Sequence, residues 1–211
     1  MQATELFLRA SGLNQEGAKF ERMRMDAFGL LERLEQSIDL KIVYREIEPT
    51  VLEGKQLLVE GREISCAGFE QISPESVESI VVYALTAGDF EVAGANFFDQ
   101  CYADLWGTAF AEAAFAVWRE QLSKQSALSD CFGPGYYGMD VSSLDPIAAL
   151  ANSSSIGLRV TKAHVILPQK SCMGLFFRVN QQYKPLATAC RYCSGNKHAC
   201  RLCNVASTLP S

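Results

Sequence analysis

The sequence predicts an α+β fold, with long helices packed on a curved antiparallel sheet. Two observations lead there. Long stretches of helical periodicity (16–37 and 96–124) stand apart from stretches with strand character (40–47, 56–64, 156–168 and 171–180). The 211 residues are 48% hydrophobic and 20% charged, which suffices for a buried core.

In EGAKFERMRMDAFGLLERLEQS (16–37), Phe20, Met23, Phe28, Leu31 and Leu34 recur at helical spacing with charges between them. LKIVYREI (40–47) and QLLVEGREI (56–64) alternate apolar and polar residues, as strands do. SPESVESIVVYAL (73–85) opens with Ser73 at a cap position, Pro74 at the first helical position and Glu75 in the first turn. It predicts a helix that Gly88 ends. NFFDQCYADLWGTAFAEAAFAVWREQLSK (96–124) predicts an Ala-rich helix buried on most sides. Ala103, Gly107, Ala111 and Ala114 there permit close approach of a backbone or a ligand. CFGPGYYGMD (131–140) is irregular, because two glycines flank Pro134. DPIAALAN (145–152) predicts a short helix with Asp145 at the cap and Pro146 next. IGLRVTKAHVILP (156–168) and SCMGLFFRVN (171–180) predict a strand hairpin.

Composition excludes several classes of function. A formal charge of −5 argues against general nucleic-acid binding, which needs a basic surface. Lys184, Arg191, Lys197 and Arg201 could make a local basic patch, but are expected to be a solvated rim around the C-terminal thiols. No segment has the roughly 20 apolar residues of a membrane span. MQATELFLRASGLNQEG lacks the basic-then-apolar order of a signal peptide, so a cytoplasmic location is expected.

Three groups of residues could carry chemistry. Asp104, Thr108 and Glu112 fall at i, i+4 and i+8 on one side of the 96–124 helix. Glu112, inside FAEAAF, is either a hydrogen-bonded carboxylate at the edge of a buried face or a contact for a ligand amine. GPGYYGMD combines close backbone approach with two tyrosines, suiting either a flat or charged small molecule or a tight connection plugged by rings. CRYCSGNKHACRLC (190–203) places Cys190, Cys193, Cys200 and Cys203 as C-x2-C-x6-C-x2-C. Such paired turns aim four sulfurs at a zinc ion or an iron–sulfur cluster. The six-residue gap is shorter than the usual zinc-ribbon gap and leaves the metal open. His198 lies inside the loop and could replace one cysteine as ligand, although a lone loop histidine is more often solvated. Without an export signal the thiols are expected to be reduced or metal-bound rather than disulfide-linked. Cys101 and Cys172, in apolar surroundings, are expected to pack in the core. Cys131 stands beside the glycine loop.

The loop, the following helix and IGLRVTKAHVILPQKSCMGLFF together resemble the activation domain of cobalamin-dependent methionine synthase, and more closely its small free-standing relatives in anaerobic bacteria. Pro134, Gly135 and Tyr136 match the family's P-G-Y loop. Ile156, Gly157 and Thr161 match its I-G-x-x-L-T-E-S strand, and Pro168 and Ser171 its P-x-x-S turn. The helix with Asp104, Gly107 and Glu112 resembles the family's long helix. The resemblance spans about 75–180 and more loosely 25–75. It departs at Cys131, where the family has an Arg able to grip a carboxylate. It departs again at Lys162 and Ala163, which replace the Glu and Ser of the strand motif, and the family's domain lacks the four-cysteine tail.

The resemblance implies binding of S-adenosylmethionine for reductive methylation of an oxidised corrinoid. Gly133, Gly135 and Tyr136 would line that site, Glu112 would face the ligand's charged end, and Tyr183 would stand for a downstream tyrosine. The expected arrangement is an activation-domain-like α+β domain over 1–185 and a metal-binding tail over 186–211. The expected function is that of an accessory protein for corrinoid-dependent methyl transfer. It would help reductive reactivation of a corrinoid protein or corrinoid methyltransferase, with cobalamin present only through that partner. In this reading an iron–sulfur tail passes the electron. The alternative is a non-catalytic corrinoid-protein-binding module with a structural zinc.

Overall fold

The computed structural model describes residues 2–49, 51–92, 94–180, 183 and 184. Cys190, Cys193, His198, Cys200, Cys203 and the expected boundary at 185/186 lie outside the described residues. The chain divides into two compact units. One comprises Met1–Val43, Ala84–Lys124 and Ser153–Cys172; the other comprises Tyr44–Tyr83, Gln125–Asn152 and the described residues from Met173.

The first unit is built on three helices, α1 (Ala3–Ser11), α2 (Ala18–Leu34) and α3 (Phe97–Ser123). α2 falls within the stretch predicted from apolar residues spaced three to five apart. α3 starts where Asn96 Oδ1 accepts from the Asp99 amide at 3.0 Å. Both α1 and α2 pack on α3. Their common core holds Phe7, Leu13, Ala27, Leu30, Leu34, Ala103 and Trp106. The Phe7 and Trp106 rings stack with centroids 3.9 Å apart, and the Trp106 indole N–H donates to the Ala27 carbonyl at 3.0 Å. Ala103, Trp106, Gly107 and Ala109 make α3's buried stripe, but most of its C-terminal half is only half-buried, less than the sequence predicts. Cys101, expected in the core, is exposed because it falls off that stripe, and Cys172 is half-buried.

Four strands, β1 (Lys41–Ile47), β5 (Val77–Thr86), β9 (Ser171–Val179) and β6 (Ala127–Leu128), are neighbours in that order in one sheet. β9 and β6 pair antiparallel, with Leu128 opposite Arg178. The second unit adds an antiparallel sheet of β2 (Val51–Glu53), β3 (Gln56–Val59) and β4 (Arg62–Ser65), and the helix α4 (Leu144–Ala151). Phe69, Phe132 and Phe177 meet edge to face at its core, with centroids 5.2–5.9 Å apart.

Four expectations are corrected. Residues 73–85 form no helix. Ser73-Pro74 opens a single 3₁₀ turn (Pro74–Ser76), and β5 comes directly after it. The β-branched run Ile80-Val81-Val82 suits a strand, and Ser79–Thr86 are all buried, as in a strand covered on both faces. Residues 56–64 are two strands, because Glu60 and Gly61 both take positive φ and turn the chain. Residues 156–168 do not pair with β9. They fold on themselves as β7 (Arg159–Val160) and β8 (Ile166–Leu167), closed by a turn at Thr161–His164. Asp145 lies in the first turn of α4. The cap work falls earlier, where Asp140 Oδ1 accepts from the Ser142 amide at 2.8 Å and holds a 3₁₀ turn leading into α4. Among the described residues no helix is long and apolar enough to cross a membrane.

Candidate functional site

In the second unit, the 131–140 segment leaves the sheet under tight constraint. Phe132 and Leu175 exchange both backbone hydrogen bonds at 2.8 Å. That approach needs glycine at 174, where a Cβ would stand 2.5 Å from the Phe132 carbonyl oxygen and 3.1 Å from Tyr83 Oη. Gly68 is equally required: a Cβ there would lie 2.6 Å from the Phe132 ring, while its amide donates to the Tyr137 carbonyl at 3.0 Å. The loop then closes on itself. Tyr136 N–H donates to the Gly133 carbonyl, Gly135 N–H to Met139 and Met139 N–H to Tyr136, each at 2.9 Å. Phe132 and Met139 are buried anchors, while Gly133 is half-buried and Gly135 exposed. Tyr136 stands out with 65% of its surface open, a ring available for stacking.

Polar groups gather at the loop's start. The Tyr183 hydroxyl donates to Asp130 Oδ2 at 3.0 Å. Burial, and then the bond to that carboxylate, hold the phenol well above its ordinary range. Cys131 Sγ and buried Tyr83 Oη are 3.0 Å apart. The Cys66 thiol, hydrogen-bonded to the Tyr137 carbonyl at 3.3 Å, is pushed up to about 11 by burial.

In the first unit, a cleft of about 280 Å³ is bounded by Thr108, Glu112 and Phe115 of α3 and by 169–172. The latter segment is fixed from below: Ala87 N–H donates to the Lys170 carbonyl at 2.7 Å, and Ser171 Oγ donates to Thr86 Oγ1 at 2.8 Å. Lys170 reaches over α3 to pair with Asp104 at 2.5 Å and Thr108 Oγ1 at 3.2 Å. Gly107 makes room, since a Cβ there would meet Lys170 Cγ at 2.6 Å and the Phe90 ring at 2.7 Å. Asp104 and Thr108 are thus engaged by Lys170, whereas Glu112, the next residue on the same side, is exposed at the cleft. The cleft falls just under the roughly 300–1,000 Å³ of small-molecule sites and suits one end of a ligand.

Gly133, Gly135 and Tyr136 therefore share one loop, and Tyr183 is tied to Asp130 just before it. Glu112 has its own cleft in the other unit. Asp130, Tyr83 and Lys170 are parts of these arrangements that sequence reasoning missed; each acts through contacts distant along the chain, for which no local pattern exists. Among the described residues no three His, Cys, Asp or Glu side chains gather as metal ligands.

No family profile matches this chain, and no curated protein sequence does. Among solved structures it is similar to the crystal structure of the MetH reactivation domain bound to AdoHcy. The TM-score is 0.61 at 16% identity, over 82% of this chain and 70% of that one. At that identity the likeness establishes the fold: the chain is folded as that reactivation domain is.

Proposed function

We propose that this chain is an accessory protein for corrinoid-dependent methyl transfer. It binds an S-adenosyl ligand and helps return a corrinoid protein to its active state. The observation that supports the reading most is the fold likeness to a reactivation domain bound to AdoHcy, coupled with a P-G-Y loop held with its tyrosine ring open. In the reaction proposed, one electron from a reductant reduces the partner's cob(II)alamin, and the methyl group of S-adenosylmethionine moves as a cation to cobalt, leaving S-adenosylhomocysteine. This chain's residues bind and orient. Tyr136 offers a stacking face, Gly133 and Gly135 let a ligand pass close to the backbone, and the Tyr183–Asp130 pair braces the loop's start. Glu112, assigned by the resemblance to the ligand's charged end, is tested by its own substitution. In the same proposal the tail over 186–211 is a separate metal-binding appendage. Cys190, Cys193, Cys200 and Cys203 would hold an iron–sulfur cluster that relays the electron.

Two observations favour the second reading, a corrinoid-protein-binding module with zinc in the tail. The Gly135 amide is committed to Met139, and Cys131, paired with Tyr83, replaces the family's Arg. The deciding experiment mixes the anaerobic protein with a corrinoid protein poised as cob(II)alamin, a low-potential reductant and S-adenosylmethionine. Growth of the methylcobalamin spectrum that depends on this chain supports reactivation. Co-migration with the corrinoid protein but no spectral change supports the module.

A further inference from the structure

A groove of about 900 Å³ runs along α2 of the first unit, closed on its other side by the N-terminal turn of α3. α2 turns Lys19, Met23, Met25, Asp26, Gly29, Leu30 and Arg33 into it, and within this set Lys19, Met23, Asp26, Leu30 and Arg33 are spaced 4-3-4-3, the spacing of a helix that packs along another helix. Leu30 forms the floor. Large apolar groups project around it: Met25 is 75% exposed, Phe98 67% and the adjoining Phe97 78%. Gly29 leaves the helix surface bare, with no atom within 4 Å of where its Cβ would be. Exposed apolar groups of this size in one place mark an interaction surface.

We propose that this face is the interface of a homodimer in which two copies of α2 pack antiparallel about a two-fold axis beside Met23. Three features argue for a second copy. The same face carries both projecting groups and the groove to receive them, which an isologous contact requires of one surface. Its charges are also self-complementary. Lys19 and Asp26 are seven residues apart on the seam, so antiparallel packing sets Lys19 of each copy against Asp26 of the other, giving two reciprocal pairs. Arg33 already pairs with Asp99 at 3.5 Å within its own chain. The lining of Lys19, Arg33, Asp26 and Asp99 is neutral, on a chain of formal charge −5 whose copies otherwise repel. The area also suffices. Large side chains bury about 150–250 Å² each, so Met25, Phe97 and Phe98 with half-exposed Met23 and Tyr102 supply about 500 Å² per copy. Two copies then bury about 1,000 Å² in all, the lower bound for a biological interface.

The test is sedimentation equilibrium of the full chain under reducing conditions, from about 1 to 200 μM, a span that brackets a micromolar dimer. The expected result is a reversible monomer–dimer equilibrium. Met25→Glu and Phe98→Glu should each raise its Kd at least about 30-fold, by placing a charge in the desolvated centre. Both positions are exposed, so the far-UV circular dichroism should be unchanged. Lys19→Glu and Asp26→Lys should each weaken the dimer about tenfold, and the double variant should restore it. A monomer throughout the range, a dimer indifferent to Met25→Glu and Phe98→Glu, or a double charge variant as weak as the singles would each overturn the proposal.

Discussion

Replacing Gly174 by Ala tests how the P-G-Y loop is held. The added Cβ would stand 2.5 Å from the Phe132 carbonyl oxygen, and ordinary contact begins at 3.4 Å. The neighbour is backbone, with Tyr83 Oη behind it at 3.1 Å, so no side chain can simply swing away. Strand and loop must separate, and the two 2.8 Å bonds between Phe132 and Leu175 stretch beyond useful length. Those bonds are worth about 1 kcal/mol each, and overpacking adds about 1 kcal/mol or more, so the loss is about 3 kcal/mol. For a chain of this size that lowers the melting temperature by about 6–12 °C. Thermal melts followed by circular dichroism read this directly. Titration with S-adenosylhomocysteine should show affinity falling as well, because the loop that presents Tyr136 is displaced. A Gly174→Ala protein melting within about 1 °C of the parent would refute the reasoning.

Four further outcomes are expected. Glu112→Gln, at an exposed position, should shift stability by less than about 0.5 kcal/mol while weakening S-adenosylhomocysteine binding about tenfold, read by calorimetry. Equal loss of both would make Glu112 structural. Glu46→Ala should cost about 2 kcal/mol by chemical denaturation. It removes the carboxylate facing Arg178, whose Nε lies 2.9 Å from Glu46 Oε1 and whose side chain is only 9% exposed, and with it the acceptor of the Ser79 hydroxyl. Glu46→Gln, which keeps the oxygen acceptor and removes the charge, should cost nearly as much, and a Gln variant as stable as the parent would deny the carboxylate its role. Iodoacetamide at pH 8 should alkylate exposed Cys101 within minutes and leave Cys66 untouched, since a thiol raised to about 11 and buried carries almost no thiolate there; peptide mass mapping that finds both labelled contradicts this. Protein purified without oxygen should show a broad visible absorbance that bleaches with dithionite, with iron and sulfide present. A colourless protein with one zinc per chain would shift the reading to the binding module.

How much of the fold is legible in the sequence depends on the range of the forces involved. α2 and α3 are readable because their apolar and small-residue patterns are local. The loop at 131–140 is readable because proline fixes its own φ and glycine disfavours regular structure wherever they stand. The Ser73-Pro74-Glu75 start signal is also real, but it governs one turn. Burial decides the conformation beyond that turn: Ile80–Leu85 meet neighbours on both sides, and a fully buried strand shows no alternation to distinguish it from a buried helix. Similarly, the apolar residues of 156–168 suggest one strand, while the turn at Thr161–His164 is set by backbone conformation, with His164 at φ 54°. In the candidate site, Glu112 and Tyr136 are visible as residues, but their surroundings are not. Lys170 meets Asp104, and Tyr183 meets Asp130, across long separations along the chain, and only the folded sheet and helix bring them together.

Binding of an S-adenosyl ligand at the P-G-Y loop is the point on which the proposed function turns. The most direct measurement is isothermal titration of the full, reduced chain with S-adenosylhomocysteine, alongside Tyr136→Ala. With 65% of its surface open, Tyr136 can be removed at a stability cost within about 0.5 kcal/mol. The expected result is saturable binding in the micromolar range that Tyr136→Ala weakens about two- to tenfold, the value of one lost stacking contact. Absence of binding at millimolar ligand, or equal affinity of the two proteins, would contradict it.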